Sequence, residues 1–132
     1  MLTIIKQING KNSIYNGAGI QLEGSSAPDL NGGLSPKELL EASLGLCIAI
    51  SMQKMFDRDD VTVEDHDISI EVSASKGEAN TNRFEKLDVS IQFPDHFSAK
   101  YKKKLLVSVE RACTIGNTLK NSVTIETVEQ AK

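Results

Sequence analysis

The chain has 132 residues, of which 25% are charged and 39% hydrophobic, and its formal net charge is −3. This length suffices for one hydrophobic core, so we expect residues 1–132 to form a single domain. The slightly acidic balance and the lack of a basic cluster argue against nucleic acid as the main partner. No charged leader followed by an apolar run precedes a cleavage site at the N-terminus, so we expect a cytoplasmic protein.

The chain contains two cysteines, Cys47 and Cys113, and two isolated histidines, His66 and His96. Because no export signal is evident, we expect the cysteines to be thiols in a reducing compartment rather than a structural disulfide. Neither a Cys-x-x-Cys pair nor a paired-histidine spacing is present, so the sequence predicts no metal ion and no other cofactor. Any chemistry is therefore expected from the thiols themselves.

The N-terminal part of the chain is rich in β-branched residues and turn signals. Residues 2–8 predict a strand that ends at Asn9-Gly10, a strong hairpin signal. Residues 13–23 have weaker strand character, so we expect an antiparallel meander of two or three strands. Residues 24–34 combine many turn-forming residue types without periodicity and predict a loop.

The longest apolar segment, residues 35–57, opens with a helix-start signal. Ser35 suits the N-cap, Pro36 the first helical position and Glu38 the third, and this arrangement is a capping box. The apolar residues that follow point in nearly every direction around the helix: Leu39, Leu40, Leu44, Leu46, Ile48 and Ile50. We therefore predict a long central helix that is buried on most sides.

This central helix bears on the partners of the chain. Its uncharged part, residues 42–53, is shorter than the roughly 20 residues that a membrane span needs, so we expect a soluble protein with no membrane partner. One small sheet and one amphipathic helix are too little to cover a helix that is apolar all round. We therefore predict an obligate homodimer with this helix at or near the interface.

After the central helix, alternation of apolar and polar residues predicts two strands, at 61–75 and 84–93, joined by a turn at 76–82. A second helix, amphipathic in the ordinary way, is predicted from about Ser98 to Cys113.

The segment that ends the second predicted helix contains Gly116, which can take the left-handed conformation common after a helix. Residues 117–121 predict a short helical turn, and the alternation at 122–128 predicts a final strand. The order of elements indicates an α+β fold of antiparallel sheets with a long buried central helix and a second amphipathic helix.

Cys47 lies in the middle of the predicted central helix. Ser43, Ser51 and Lys54 share its helical face with several apolar residues, a mixture that suits a thiol lining a small apolar pocket. The alternative is that Cys47 is a small packing residue without chemistry, which is the usual role of a buried cysteine.

Cys113 lies at the end of the second predicted helix, beside Gly116 and Asn117. Backbone N–H groups of the following turn would stabilise a thiolate at this position. The alternative is a buried cysteine near a helix end that takes part in no reaction.

Together the two cysteine segments resemble the OsmC/Ohr family of thiol-dependent hydroperoxide reductases. The first segment has Ser-Pro-Lys-Glu-Leu-Leu at residues 35–40 followed by Cys47, and the second has Ala-Cys-Thr-Ile-Gly-Asn-Thr-Leu at residues 112–119. The order of elements fits the family over essentially the full length, and the motifs are most similar to the YhfA-like branch. The resemblance implies an OsmC-like domain in an intertwined homodimer, with the long central helices packed in the middle.

The resemblance also implies a role for each cysteine. Cys47 would attack a hydroperoxide as a thiolate and become a sulfenic acid, and Cys113 would condense with it to a disulfide. A small dithiol or thiol reductant would reopen that disulfide. Cys47 and Cys113 are therefore the candidate catalytic residues.

The sequence departs from the Ohr branch at the group that activates the thiolate. That branch uses an arginine from the N-terminal sheet, held by a glutamate ten residues before the first cysteine. Here Lys37 occupies the glutamate position, and no arginine precedes Arg58. The candidates for a replacement cation are Lys37, Arg58, Arg83 and Arg111.

Three functions are compatible with these features. The first is peroxide detoxification by a hydroperoxide reductase with two redox cysteines. The second is a non-catalytic OsmC-like dimer that binds a small hydrophobic or thiol ligand at its interface. The third is a stable dimer in which both cysteines only pack.

Overall fold

The computed structural model describes residues 2–8, 10–26, 32–78 and 82–131, with Ile8 described by its backbone alone. Asn9 of the predicted hairpin turn, residues 27–31 of the predicted loop and residues 79–81 of the predicted turn lie outside the described residues. Within that part of the chain the elements are β1 (Ile4–Ile8), β2 (Lys11–Tyr15), β3 (Gln21–Gly24), α1 (Pro36–Arg58), β4 (Ser69–Ser75), β5 (Lys86–Gln92), α2 (Ala99–Ala112) and α3 (Thr114–Lys120). This mixture of helices and antiparallel strands confirms the predicted α+β class.

The chain forms two compact units. The first comprises Met1–Ser43 and Val72–Asp88, and the second comprises Leu44–Glu71 and Val89–Lys132. Helix α1 and the two-stranded sheet of β4 and β5 contribute residues to both units. The single domain over residues 1–132 stays a prediction.

The first unit contains the predicted meander. Strands β1, β2 and β3 pair antiparallel with β2 in the centre. Gly10 has a φ of +77°, a conformation that glycine adopts without cost, and it closes the tight turn between β1 and β2. In the next turn the Asn16 side-chain oxygen accepts from two backbone N–H groups at 3.0 Å each, which brings β3 back beside β2.

Helix α1 begins as the capping box predicts. Ser35 Oγ accepts from the Glu38 N–H at 3.2 Å, and Glu38 Oε1 accepts from the Ser35 N–H at 2.9 Å. Two N–H groups that lack a partner within the helix are thereby satisfied, and Pro36 occupies the first helical position. Glu38 therefore has a structural role at the start of the helix.

Helix α1 also provides much of the core of the second unit. Its buried residues recur at helical spacing: Leu44, Ile48, Met52, Met55 and Phe56. Leu46 and Ile50 are 63% and 49% exposed, so one chain leaves part of the apolar surface of this helix uncovered. That uncovered surface is what the sequence predicts, and the homodimer that would cover it stays a prediction.

By length and mean hydropathy, α1 would be able to cross a membrane. The core helix of a soluble protein has the same length and hydropathy when one side of it packs against other elements. In the second unit Phe56 packs edge-on against Phe97, with ring centroids 5.8 Å apart. We therefore interpret α1 as the core helix of a soluble protein.

Helix α2 is amphipathic, as predicted. Ser98 is its N-cap, and the Ser98 Oγ accepts from the Tyr101 N–H at 3.1 Å. Leu105 and Val109 are buried, whereas Lys100, Lys103 and Lys104 are exposed. The Tyr101 hydroxyl donates to the Asp59 carboxylate at 3.0 Å, which ties α2 to the turn after α1.

Two boundaries differ from the sequence expectation. Strand β4 begins at Ser69 rather than at residue 61, because the Glu64 N–H donates to Asp67 Oδ2 at 3.1 Å in a local turn, and His66 has a φ of +68°. Gly116 does not take the left-handed conformation at the end of α2. It lies inside α3, and the helix before it ends at Ala112.

The final strand predicted at 122–128 is absent from the structure. Residues 122–131 have no regular secondary structure, and Val123, Ile125 and Val128 are 61%, 82% and 87% exposed. An alternating segment becomes a strand only beside another strand that pairs with its backbone N–H and C=O groups. None of the described strands of this chain pairs with it.

Candidate active site

The structure brings the two predicted site residues together within the second unit. Cys47 lies on α1, and Cys113 lies between α2 and α3. Both are free thiols, and they lie close enough together that each shifts the pKa of the other. Cys47 is half-buried, whereas Cys113 is only 3% exposed. The Cys47 thiol is therefore accessible to solvent, whereas the Cys113 thiol is buried.

Local backbone structure fixes the position of Cys113. Its N–H donates to the Val109 carbonyl at 2.9 Å and closes α2 one turn after a buried residue. Its carbonyl accepts from the Asn117 N–H at 2.9 Å and opens α3. Cys113 is thus the C-cap of one helix and the N-cap of the next. In the second role its Sγ accepts from the Gly116 N–H at 3.3 Å.

The surroundings of Cys47 favour its thiolate. The pKa of Cys47 is lowered from its ordinary value, chiefly by the backbone N–H of Ile115. The Cys113 thiol, the Thr114 N–H and the charge of Lys54 lower the pKa further, while partial burial opposes them. Groups that donate hydrogen bonds to the charged form of an acid stabilise that form. Cys47 is therefore an activated thiol.

The surroundings of Cys113 favour its protonated form. Burial raises the pKa of the Cys113 thiol, and the neighbouring Cys47 raises it further, although the Gly116 N–H acts in the opposite direction. The sequence predicts that N–H groups of this turn stabilise a thiolate at Cys113. The Gly116 and Ile115 N–H groups do act in that direction, but burial and Cys47 outweigh them, so the pKa of Cys113 is raised overall. Of the two thiols, Cys47 therefore loses its proton first.

Lysine and arginine side chains have a small part in this activation. Three of the four candidate cations are engaged in ion pairs with carboxylates: Lys37 with Glu41, Arg58 with Asp59, and Arg83 with Glu85. Arg111, the fourth, is exposed near the end of α2. The cation that lowers the pKa of Cys47 is instead Lys54, two turns further along α1.

Sequence reasoning missed two features, one in each unit. One is the pair of amides at Thr114 and Ile115, since no local pattern indicates that they face a cysteine 67 or more positions away. The other is Glu41, in the first unit. Its Oε2 accepts from the Ala74 N–H and from Lys37 Nζ, both at 2.7 Å. The lysine and then the amide lower the pKa of Glu41, so this carboxylate anchors β4 to α1 as an anion.

Metal binding has no support among the residues that the structure describes. No group of three or more His, Cys, Asp or Glu side chains in those residues is arranged to hold a metal ion. What the two cysteines offer is thiol chemistry: an activated nucleophile, and a second sulfur close enough to alter its pKa.

The chain is similar to a known protein family in sequence and in fold. The family described as "OsmC-like protein" matches residues 28–128. An OsmC-like protein from Mycoplasma pneumoniae has the same fold with a TM-score of 0.76 and 14% identity, covering 90% of this chain and 86% of that one.

Two further solved structures are of organic hydroperoxide resistance proteins. The protein from Legionella pneumophila, called OsmC and a predicted redox protein, has a TM-score of 0.63 and 18% identity, covering 91% of this chain and 90% of that one. The protein OhrB from Bacillus subtilis has a TM-score of 0.59 and 15% identity, covering 91% of each chain.

No curated protein sequence matches this chain significantly. At identities of 14–18%, the solved structures support the fold rather than a particular activity. They also do not distinguish the YhfA-like branch from the others, so that finer placement stays a prediction.

Proposed function

We propose that this chain, which belongs to the OsmC-like family by its match over residues 28–128, is a thiol-dependent hydroperoxide reductase. The observation that carries the proposal is the asymmetry of the two thiols. Cys47 is partly exposed with a lowered pKa, and it contacts a buried thiol, Cys113, whose pKa is raised. A peroxide reductase needs this pairing of an accessible thiolate with a protonated thiol in contact with it.

The first step is attack of the Cys47 thiolate on the terminal oxygen of the hydroperoxide. The O–O bond breaks, Cys47 becomes a sulfenic acid, and the departing alkoxide takes a proton from water to leave as an alcohol. The N–H groups of Ile115 and Thr114 lower the pKa of Cys47 and so increase the fraction that is thiolate. Burial of Cys113 keeps that thiol out of competition for the peroxide.

In the second step the Cys113 sulfur attacks the sulfenic sulfur of Cys47. The S–S bond forms, the hydroxyl group departs, and the proton of Cys113 converts it to water. The two cysteines have then given two electrons to the peroxide. A small dithiol or thiol reductant returns them by thiol–disulfide exchange and is itself oxidised to a disulfide.

The proposal includes an assembly and a compartment. We infer a homodimer, because Leu46 and Ile50 leave apolar surface of α1 exposed to solvent. Cytoplasmic location fits a reaction cycle that begins and ends with reduced thiols. Sedimentation at micromolar concentration tests the assembly, since a stable monomer there would exclude an obligate dimer.

The catalytic proposal is tested by titrating the reduced protein with stoichiometric cumene hydroperoxide or hydrogen peroxide. Free thiols are counted, and a Cys47–Cys113 link is located by mass. We expect loss of both thiols and formation of that link. The variant Cys47→Ser should consume no peroxide, whereas Cys113→Ser should accumulate a sulfenic acid on Cys47. The variant Ser69→Ala, at an exposed position of β4, is the control for effects of substitution and purification that do not involve the cysteines.

The same titration distinguishes the other functions. Thiols that survive stoichiometric peroxide would eliminate the reductase and leave the dimer that binds a small hydrophobic or thiol ligand. If Cys47→Ser changes only the melting temperature, the cysteine has a packing role alone.

A further inference from the structure

Helix α3 has little of its own to hold it together. It has seven residues, none of them buried, and isolated helices shorter than about 12–15 residues are marginal in water. Its first five residues, Thr-Ile-Gly-Asn-Thr at 114–118, all have modest or poor helix propensity. The order of this helix therefore depends strongly on what satisfies the free N–H groups of its first turn.

Sulfur faces those N–H groups. The Gly116 N–H donates to Cys113 Sγ at 3.3 Å, and Cys113 is the N-cap residue. The N–H groups of Thr114 and Ile115 are near enough to Cys47 to lower its pKa. No acidic residue stands in the first turn of α3 to take over this function. The N-cap bond of α3 is thus made by Cys113, and the two N–H groups before Gly116 favour a thiolate at Cys47.

We propose that the two sulfurs form a redox-dependent cap, which keeps α3 ordered while Cys47 and Cys113 are thiols and releases it when they join in a disulfide. Oxidation removes the negative charge from Cys47 and leaves two neutral sulfurs, which are weak acceptors. An S–S bond of about 2.05 Å also draws Cys113 Sγ toward Cys47 and away from the Gly116 N–H. In the cell the inference rests on the proposed function, since a hydroperoxide is the oxidant that would close the disulfide.

Release of α3 would serve the reductive half of the cycle. In the reduced state Cys113 is 3% exposed, and the Cβ that an alanine would carry at residue 116 would lie 3.4 Å from its sulfur. The start of α3 therefore covers this sulfur. An external thiol must approach a disulfide sulfur closely to exchange with it. When α3 loosens, the covered sulfur opens to the reductant, and its return to a thiol restores the cap.

The test is amide hydrogen–deuterium exchange of residues 117–121, which contain the intrahelical N–H donors of α3. The protein is compared as the dithiol and as the disulfide made with diamide, an oxidant that does not depend on peroxide chemistry. We expect exchange in this segment to be about five-fold faster or more in the disulfide form, the effect of losing a helix cap. Amides around Leu105 in α2 should be unchanged and act as the internal control.

Two variants separate the cap from other effects of oxidation. Serine is a good N-cap residue, so Cys113→Ser should keep slow exchange in α3 with or without diamide. Alanine has no capping atom, so Cys113→Ala should exchange fast in α3 already without oxidant. Equal exchange in the dithiol and disulfide forms would overturn the proposal. Slow exchange in Cys113→Ala, or failure of diamide to link the two cysteines by mass, would overturn it as well.

Failure of the proposed function is distinguishable from failure of this inference. If peroxide leaves the thiols intact but the diamide-made disulfide still loosens α3, the redox-dependent cap stands and the reductase does not. If peroxide closes the disulfide while α3 stays protected, the reductase stands and the cap does not.

Discussion

Replacing Ile115 with proline should raise the pKa of Cys47, because proline lacks the backbone N–H that contributes most to lowering it. The substitution removes no intrahelical hydrogen bond, since this N–H lies in the first turn of α3. A hydrogen bond to a charged group contributes about 1.5–3 kcal/mol. Sulfur is a weak acceptor and Cys47 is partly exposed, so we take the lower end, which corresponds to about one pKa unit.

The rate of reaction with peroxide follows from that shift. Below the pKa, a rise of about one unit lowers the thiolate fraction about ten-fold. The more basic thiolate is also more nucleophilic, with a Brønsted slope of about 0.4–0.5, which recovers roughly half of the loss on a logarithmic scale. We therefore expect the reaction of Ile115→Pro near neutral pH to be about three-fold slower.

The assay uses the Cys113→Ser background, in which Cys47 is the only thiol. The ultraviolet absorbance of the thiolate gives the pKa of Cys47, and the rate with cumene hydroperoxide is followed over the same pH range. Ile115→Ala is the matched control, because it removes the side chain and keeps the N–H. Equal pKa values in the proline and alanine variants, with the α3 amides still protected in both, would refute the role assigned to this N–H.

The pH dependence has a definite sign. Because the folded pKa of Cys47 is lowered, the rate should rise through a pKa below the ordinary cysteine value of about 8.5 and then level off. Ile115→Pro should move that rise to higher pH. The contribution of the thiolate to stability is fully present above the unfolded pKa, about 8.5, and is lost as pH falls through the folded pKa.

Three further substitutions test local contacts in α1, β4 and α3. Ser35→Ala removes the N-cap of α1, so the free energy of unfolding in urea should fall by about 0.5–2 kcal/mol, and Ser35→Thr should restore most of it. Glu41→Ala leaves the N–H of buried Ala74 without its acceptor and should lower that free energy by about 1–3 kcal/mol, whereas Glu41→Gln, which keeps an acceptor oxygen, should lower it less. Gly116→Ala adds a methyl group at ordinary contact distance, 3.4 Å from the nearest atom, and should slow amide exchange in α3 about four-fold through its better helix propensity; faster exchange would show that the methyl group does not fit.

The parts of the fold that local chemistry determines could be predicted from the sequence. The start of α1 is one case, because Ser35, Pro36 and Glu38 complete a capping box among neighbouring residues. The hairpin between β1 and β2 is another, because its turn needs a glycine at a positive φ. Elements that depend on residues distant in the sequence were harder to predict, because local patterns do not show those contacts.

The final strand shows that dependence most clearly. The alternation at 122–128 meets the requirement of one apolar and one polar face, yet the segment has no strand beside it among the described residues. Periodicity indicates which face of a strand would be buried, but it does not supply the neighbouring backbone that a strand needs. Strand β4 shows the same limit, since a local turn at Glu64–Asp67 prevents the strand from extending back to residue 61.

The candidate site also has residues that the sequence indicates and groups that it does not. Cys47 and Cys113 could be chosen from the sequence because thiols are chemically distinctive and their segments resemble a family. The groups that favour the Cys47 thiolate are mainly backbone N–H groups. Every residue except proline has an N–H, so the sequence gives no sign of which ones face a sulfur. The sequence therefore suggests arginines and Lys37 as activating groups, whereas the chief contribution comes from the amide of Ile115.

Activation by backbone amides has a consequence that activation by an arginine would not have. An arginine side chain stabilises a thiolate by its charge, whatever the state of a neighbouring short helix. The amides of Thr114 and Ile115 face Cys47 only while α3 is folded, so the pKa of Cys47 and the order of α3 are thermodynamically linked. A substitution that unfolds α3 without touching either cysteine should therefore raise the pKa of Cys47. By the same linkage, ionisation of Cys47 should stabilise α3.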